Sequence, residues 1–248
     1  MLSTLPYPTQ SGDQLVSKVV TGAIAALFKR TEKLEATVRA EPVSKLLQGS
    51  LDGFDLIGNN LLMHNGLQIK AMEMYLQAVS IDFGAIFQGK VKLRQPTTAN
   101  MRVVLTEEDL ANSFNTPFIL EKLAKLQYQD NSLKLENISI TFGKEQSLQI
   151  TAQAKLNKDD KPIDLNVTAQ LEAQQRRKIQ FINPVYEGEP AAIELSKTVI
   201  DYINDLLDLE KFALDGVELR VDRLRVQKEQ IVFYGTAQIN HFPQRKKN

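Results

Sequence analysis

The chain has 248 residues, with 30 Lys+Arg balanced by 30 Asp+Glu, 43% hydrophobic residues, two histidines and no cysteine. That apolar fraction can fill a sizeable core, and the balanced charge argues against a nucleic-acid binder held by bulk electrostatics. Without cysteine there is no disulfide framework, thiolate metal site or thiol nucleophile, and His64 and His241 alone cannot make a histidine-rich metal centre.

The first eleven residues read as a flexible N-terminus with neither a basic nor an apolar stretch, so no secretory leader is expected. Leu15–Phe28 is too short and too interrupted to span a bilayer. The expectation is a cytoplasmic or peripheral membrane protein.

Residues 13–32 place Val16, Val19, Val20, Ala23, Ile24, Leu27 and Phe28 on one stripe, which predicts an amphipathic helix. Leu34, Ala36, Val38 and Ala40 then alternate as in a strand. Asn65-Gly66, flanked by apolar runs, predicts a hairpin with a type I′ turn, because this pair best tolerates φ > 0 at both centres. Met72, Met74 and Leu76 share one face of the strand that follows. Leu93–Leu105 reads as strand around Pro96, which should sit at an edge or a turn, and Thr106 with Glu107, Glu108 and Asp109 as the capped start of a short helix. Thr116-Pro117 opens another helix through Leu126.

Three strands with period-two patterning are expected between Leu133 and Leu171, turning at residues 157–162, with a further strand over Arg177–Ile182. Pro190 starts a helix with the stripe Ala192, Leu195, Val199, Ile203 and Leu206, flanked by Ile200 and Leu207. Strands over Val217–Val226 and Ile231–His241 follow, then a basic tail over 243–248.

Repetition is the most informative feature. Leu51-Asp-Gly and Leu214-Asp-Gly both lead into an apolar–acid–Leu step with a second Leu five residues on. Leu133–Ile140 matches Leu219–Val226 in type, and in both the apolar phase slips by one residue midway. Only an extra, unpaired residue keeps such a strand facing its core, so bulges are predicted at Glu136–Asn137 and Asp222–Arg223. Lys144-Glu-Gln146 and Lys228-Glu-Gln230 introduce the partner strands. The pattern predicts internal helix–hairpin repeats and an α+β fold in one domain over 12–242: a long, strongly curved antiparallel sheet with bulged strands, wrapped around amphipathic helices.

Chemistry is sparse. The acids at 107–109 and 159–160 read as a helix first turn and a hairpin turn, the two histidines as surface residues, and no nucleotide or nucleophile motif occurs. No catalytic residue, metal ligand or cofactor is assigned. Arg176-Arg-Lys178 and Arg245-Lys-Lys247 read as solvated surface, with weak contact to anionic head groups as the alternative.

The segments VRAEPVSKLLQGSLDGFDLIGNNL (38–61) and FALDGVELRVDRLRVQKEQIVFYGTAQI (212–239) resemble the LmeA-like phospholipid-binding domain family, known from actinobacteria and cyanobacteria. QGSLDGFDLIGNNL carries most of the likeness, which covers roughly residues 12–242. The resemblance implies a tubular lipid-binding fold with an apolar slot, and phospholipid binding without catalysis. The family's actinobacterial members are typically exported, a feature with no counterpart in this N-terminus.

Combining both lines, the expected function is a non-catalytic protein holding a phospholipid or other acyl lipid. Val20, Ile24, Leu27, Phe28, Met72, Met74, Ile200, Ile203 and Leu207 are the candidate lining. The competing expectation is a protein–protein interaction or assembly factor, with a filled interior, that docks on a membrane-associated complex.

Overall fold

The computed structural model describes residues 11–241, apart from 43, 87, 89, 130, 144–145, 157–160, 212, 214 and 228. The expected flexible N-terminus up to residue 10, the basic tail, most of the 157–162 turn, and Lys144, Glu145, Leu214 and Lys228 of the repeat lie outside the described residues, as do the side chains of Val16 and Ala23.

The elements run in chain order as α1 (Ser11–Ala25), β1 (Phe28–Arg39), α2 (Ser44–Leu47), β2 (Ser50–Met63), β3 (Gln68–Ser80), α3 (Phe83–Ile86), β4 (Thr97–Thr106), α4 (Glu107–Phe114) and α5 (Pro117–Leu123). The short β5 (Gln127–Tyr128) and β6 (Asn131–Ser132) precede β7 (Lys134–Phe142), β8 (Ser147–Lys155), β9 (Ile163–Gln174), β10 (Lys178–Glu187), α6 (Pro190–Leu206), β11 (Val217–Gln227) and β12 (Gln230–Ile239). The class is α+β and mostly antiparallel sheet. The strands do not form one sheet as expected, however: six pair in the order β1-β2-β3-β4-β12-β11 and four in the order β10-β9-β8-β7.

The first helix is shorter than its apolar stripe. It ends at Ala25, and Leu27 and Phe28 pass into β1, where Phe28 pairs with Met63. A strand ladder extended to Phe28 overrides a helical period that both segments satisfy. The packing of α1 on β1 settles a second problem, the free edge of the larger sheet. The edge N–H groups of Ala36 and Val38 donate to the hydroxyls of Thr21 (3.1 Å) and Ser17 (3.0 Å), four residues apart on one helical face.

The opposite edge, β11, is met by the tip of the β9–β10 hairpin. The Val221 N–H donates to the Arg176 carbonyl at 2.8 Å, and Asp222 pairs with the Arg176 side chain at 2.5 Å. Just beyond the tip, Ile179 and Leu209 exchange backbone bonds with Leu207 and Arg177 at 3.0 and 2.9 Å, tying β10 to the segment after α6. The two sheets are thereby joined along one margin.

Both bulges fall where the phase slips. The β7–β8 register shifts between Glu136 and Ser139, with Asn137 at φ +53°, and the β11–β12 register shifts between Val221 and Arg223. The slip lets Leu133, Leu135, Ile138 and Ile140 all be buried. The first copy of the repeat, in β2, keeps an unshifted register with β3. Opposite the second bulge stands Gly235, where a Cβ would lie 1.9 Å from the Arg220 carbonyl oxygen. The bulged backbone occupies the space a side chain needs.

Two turns differ from expectation. At Asn65-Gly66 only Gly66 has positive φ (+91°), and the Gly66 N–H donates to the Met63 carbonyl. This is a three-residue loop with glycine in the left-handed position rather than a type I′ turn. Both central residues have positive φ instead at Gln175 (+49°) and Arg176 (+61°), where the Arg177 N–H closes on the Gln174 carbonyl. Pro96 does stand at the edge of a strand, immediately before β4 and after the bend at residues 94–95, since proline cannot donate to the ladder. The first turn of α4 is capped as expected: Thr106 Oγ1 accepts from the Asp109 N–H, and the Asp109 carboxylate accepts from the Thr106 N–H.

Two expectations follow. Ser17→Ala with Thr21→Val leaves two edge amides without partners and should cost about 1–3 kcal/mol per amide; urea unfolding measures the loss, and faster hydrogen exchange at Ala36 and Val38 locates it. Gly235→Ala should destabilise the fold by about 1–3 kcal/mol through overpacking alone, which the same unfolding curve reads.

Candidate functional site

The buried apolar residues form two clusters. One joins α1 with β1, β2, β3 and the nearer parts of β4 and β12; the other joins α4, α5 and α6 with the four-stranded sheet. Between them lies a cavity of about 390 Å³. Its walls come from the inner faces of both sheets: Phe54, Leu56, Met72, Met74, Met101, Val103, Phe233, Leu219 and Val221 on the larger, and Ile140, Leu148, Leu171, Ile179 and Phe181 on the smaller. Ile24 and Leu27 border it on the α1 side, Leu110 and Phe114 of α4 and Ile119 of α5 on another, and Ile203, Leu206, Leu207 and Leu209 near the end of α6.

The chemistry of the wall is uniform. Among the described residues no titratable side chain lines the cavity, and the only polar ones there are Gln68 and Ser113. Both are engaged: the Gln68 N–H donates to Ser113 Oγ at 3.0 Å, and Asn112 donates to the Gln68 side-chain oxygen at 3.2 Å. A water inside would find few partners, because an apolar cavity offers no return for the hydrogen bonds it gives up. Methylenes lose nothing by entering.

Of the nine residues assigned from sequence, seven border this one cavity: Ile24, Leu27, Phe28, Met72, Met74, Ile203 and Leu207. Val20 and Ile200 do not. Each is buried in the adjoining core, at 3% and 2% exposure, one turn or less from a lining residue on the same helix. The sequence reading missed Met63 and Met101. A signal was available: the chain has five methionines, and the four among the described residues all line the cavity. Met74 and Met101 sit directly opposite each other in the β3–β4 ladder. Phe181, Phe233 and Phe114 were also missed, since neither a strand's alternation nor a helix's period distinguishes a lining aromatic from a packed one.

A recess of about 500 Å³ lies elsewhere, bordered by Arg30, Glu32, Asn60, Lys70, Glu107, Asp109 and Glu229. Many of its polar groups already bond to each other or to backbone. Asn60 donates to Glu32, Lys70 donates to Asn60, Asp109 caps α4, and Glu107 accepts from the Phe142 N–H. These groups serve the fold. His64 faces the Ala26 carbonyl at 3.2 Å on the exposed side of the hairpin. Among the described residues no group of His, Asp or Glu is arranged to hold a metal ion, and no helix is long and apolar enough to cross a membrane.

The site is thus an apolar cavity between two sheets, with no charged residue among the described ones that line it. The comparison with known families agrees: the LmeA-like phospholipid-binding family model matches residues 10–236, and the chain belongs to that family. No curated protein and no solved structure matches the chain.

Proposed function

We propose that this protein is a non-catalytic lipid-binding protein that holds acyl chain in the cavity between its two sheets, in the manner of a tubular lipid-binding domain, and that it takes up its lipid by peripheral contact with a membrane. The observation that carries the reading is the cavity wall, predominantly apolar and uncharged among the described residues, in a member of a phospholipid-binding family. Each methylene transferred from water contributes about 0.8 kcal/mol, so ten supply about 8 kcal/mol towards the loss of freedom on binding. Four methionines in the wall suit such a ligand, because an unbranched thioether side chain readapts to chains of different shape.

The alternative, an assembly factor with a filled interior, requires an exposed apolar patch. The large hydrophobics most exposed among the described residues are Leu47, Ile57, Tyr75 and Val185, spread over α2, β2, β3 and β10. Ile57 and Tyr75 are diagonal neighbours across the β2–β3 pair, with Leu47 and Val185 on other elements, and a patch of two such side chains is ordinary protein surface. The apolar cavity between the sheets favours lipid.

Native mass spectrometry of the purified protein, followed by organic extraction, should find about one co-purified lipid per chain. An apo mass that persists after incubation with phospholipid vesicles would refute the reading. Ile24→Trp projects a larger side chain into the cavity from the α1 side and should abolish lipid retention while circular dichroism stays that of the parent. Undiminished retention would exclude this cavity as the site.

A further inference from the structure

We infer that this protein docks to a membrane through the end of the larger sheet formed by α2 and the β3–β4 connection, and that the membrane it meets carries anionic phospholipid head groups. The inference rests on the lipid-binding reading and adds to it the face of contact and the charge of the bilayer.

The connection runs over residues 81–96 between strands that pair directly, where about two to five residues would suffice. Its ends are tied to the sheet. The Ile81 N–H donates to the Gly49 carbonyl at 2.7 Å, the Asp82 N–H to the Lys92 carbonyl at 2.8 Å and the Arg94 N–H to the Ser80 carbonyl at 2.9 Å. The Arg94 guanidinium donates to the Gln48 carbonyl at 2.7 Å and so joins the connection to α2. Burial alternates along it: Val91 and Leu93 pack against the core, while Lys90, Lys92 and Arg94 are exposed. Leu47, next to Gln48 in sequence, is 70% exposed, more than any other large hydrophobic among the described residues. An exposed leucine among cations suits the boundary of an anionic bilayer, where the apolar side chain enters the acyl region and the cations stay at the phosphates.

Charge separates the two ends of this sheet. The connection carries Lys90, Lys92 and Arg94 against Asp82 alone. Among the described residues neither Lys90 nor Lys92 pairs with a carboxylate. In and around α2, Lys45 pairs with Asp52 at 2.7 Å, which leaves Glu41. The residues that follow His241 in sequence add Arg245, Lys246 and Lys247 and no carboxylate. They continue from β12, whose Ile239 pairs with Thr97 where the connection enters β4. At the opposite end, beside Thr106, the polar recess is bordered by five carboxylates, from β1, α4 and the β11–β12 turn, against two cations. The ten residues of β4 set these ends about 30 Å apart, at ~3.3 Å per residue, several times the Debye length in physiological salt. An anionic surface therefore attracts one end and repels the other, so a chain without net charge docks in one orientation. That orientation brings the cavity to the bilayer: Val217 and Ile239, which line it, pair with each other beside Thr97.

The test exploits a chain without tryptophan. Leu47→Trp places a single fluorophore on the docking face, and Val185→Trp places one on β10 at another exposed position. With vesicles of phosphatidylcholine mixed with phosphatidylglycerol, emission from position 47 should shift to the blue and that from position 185 should not. In co-sedimentation, affinity for these vesicles should exceed that for pure phosphatidylcholine by about tenfold or more and fall in high salt. Lys90→Gln with Lys92→Gln should weaken it about twentyfold, since each cation near an anionic surface contributes about fivefold. Leu47→Ser should weaken it about tenfold through lost apolar contact, and both variants should keep the parent's urea midpoint. Equal affinity for neutral vesicles, unshifted emission from position 47 in the bound protein, or unchanged binding by these variants overturns the inference. So does a dimer that Leu47→Ser dissolves, which assigns the face to a second copy. Native mass spectrometry in parallel separates the two readings. Retained lipid without vesicle binding overturns the docking face and leaves the lipid-binding reading standing. Docking by a chain that neither holds nor takes up lipid supports the face and overturns the lipid-binding reading.

Discussion

The constraint on which this structure depends is an edge problem. A six-stranded antiparallel sheet that does not close on itself leaves a row of unpaired amides along each outer strand, and such rows recruit other strands. Here each edge is met by a different device. On β1 a helix offers two hydroxyls at the spacing of a strand's alternate amides, Thr21 to Ala36 and Ser17 to Val38. On β11 the bulge at Asp222 leaves the Val221 N–H directed at the carbonyl of a neighbouring hairpin tip. The second device also brings the smaller sheet to the larger. With helices and the second sheet fixed along the margins, the apolar inner faces are held apart over the middle, and the cavity is what remains between them.

That origin explains the cavity's chemistry. Its wall is the ordinary inward face of strands, so it is apolar for the same reason that a core is apolar, and no special residue had to be introduced. Methionine is the departure. Aliphatic branched side chains line most of the surface, yet Met63, Met72, Met74 and Met101 gather on β2, β3 and β4. A rigid core gains uniqueness from well-defined rotamers, whereas a thioether with three rotatable bonds gives it up. Concentrating every internal methionine on one wall fits a surface that repacks around a guest.

The limits of the sequence reading fall at identifiable residues. The slips of apolar phase in Leu133–Ile140 and Leu219–Val226 were legible as bulges, because period two leaves no other way to keep one face buried. The split into two sheets was not, since it rests on β4 pairing with β12 across more than a hundred residues, Val104 with Val232. Turn chemistry misled as well. Asn65-Gly66 forms the longer loop, while the tight turn with two left-handed residues sits at Gln175-Arg176, a pair with no intrinsic preference for it. A tertiary contact, the Arg176 carbonyl on β11, compensates for strain that local sequence gives no reason to expect. Cavity and core were inseparable by kind: Val20 and Ile24, four residues apart on α1, differ only in that the second reaches the open space.

The basic run Arg176-Arg-Lys178 shows the same lesson from the polar side. Read alone, three adjacent cations invite an anionic surface. In the fold Arg176 pairs with Asp222 of the bulge and Arg177 with Glu210, while Lys178 forms a backbone bridge with Asp208. These side chains are partly exposed, so the ion pairs themselves stabilise little. Their effect is positional: each partner lies on β11 or on the segment after α6, the two places where the hairpin tip must dock for the sheets to stay in register with one another. The charge run thus belongs to the closure of the fold, and the cavity's geometry descends from it. The charges that help to set the cavity's shape are not among the residues that line it.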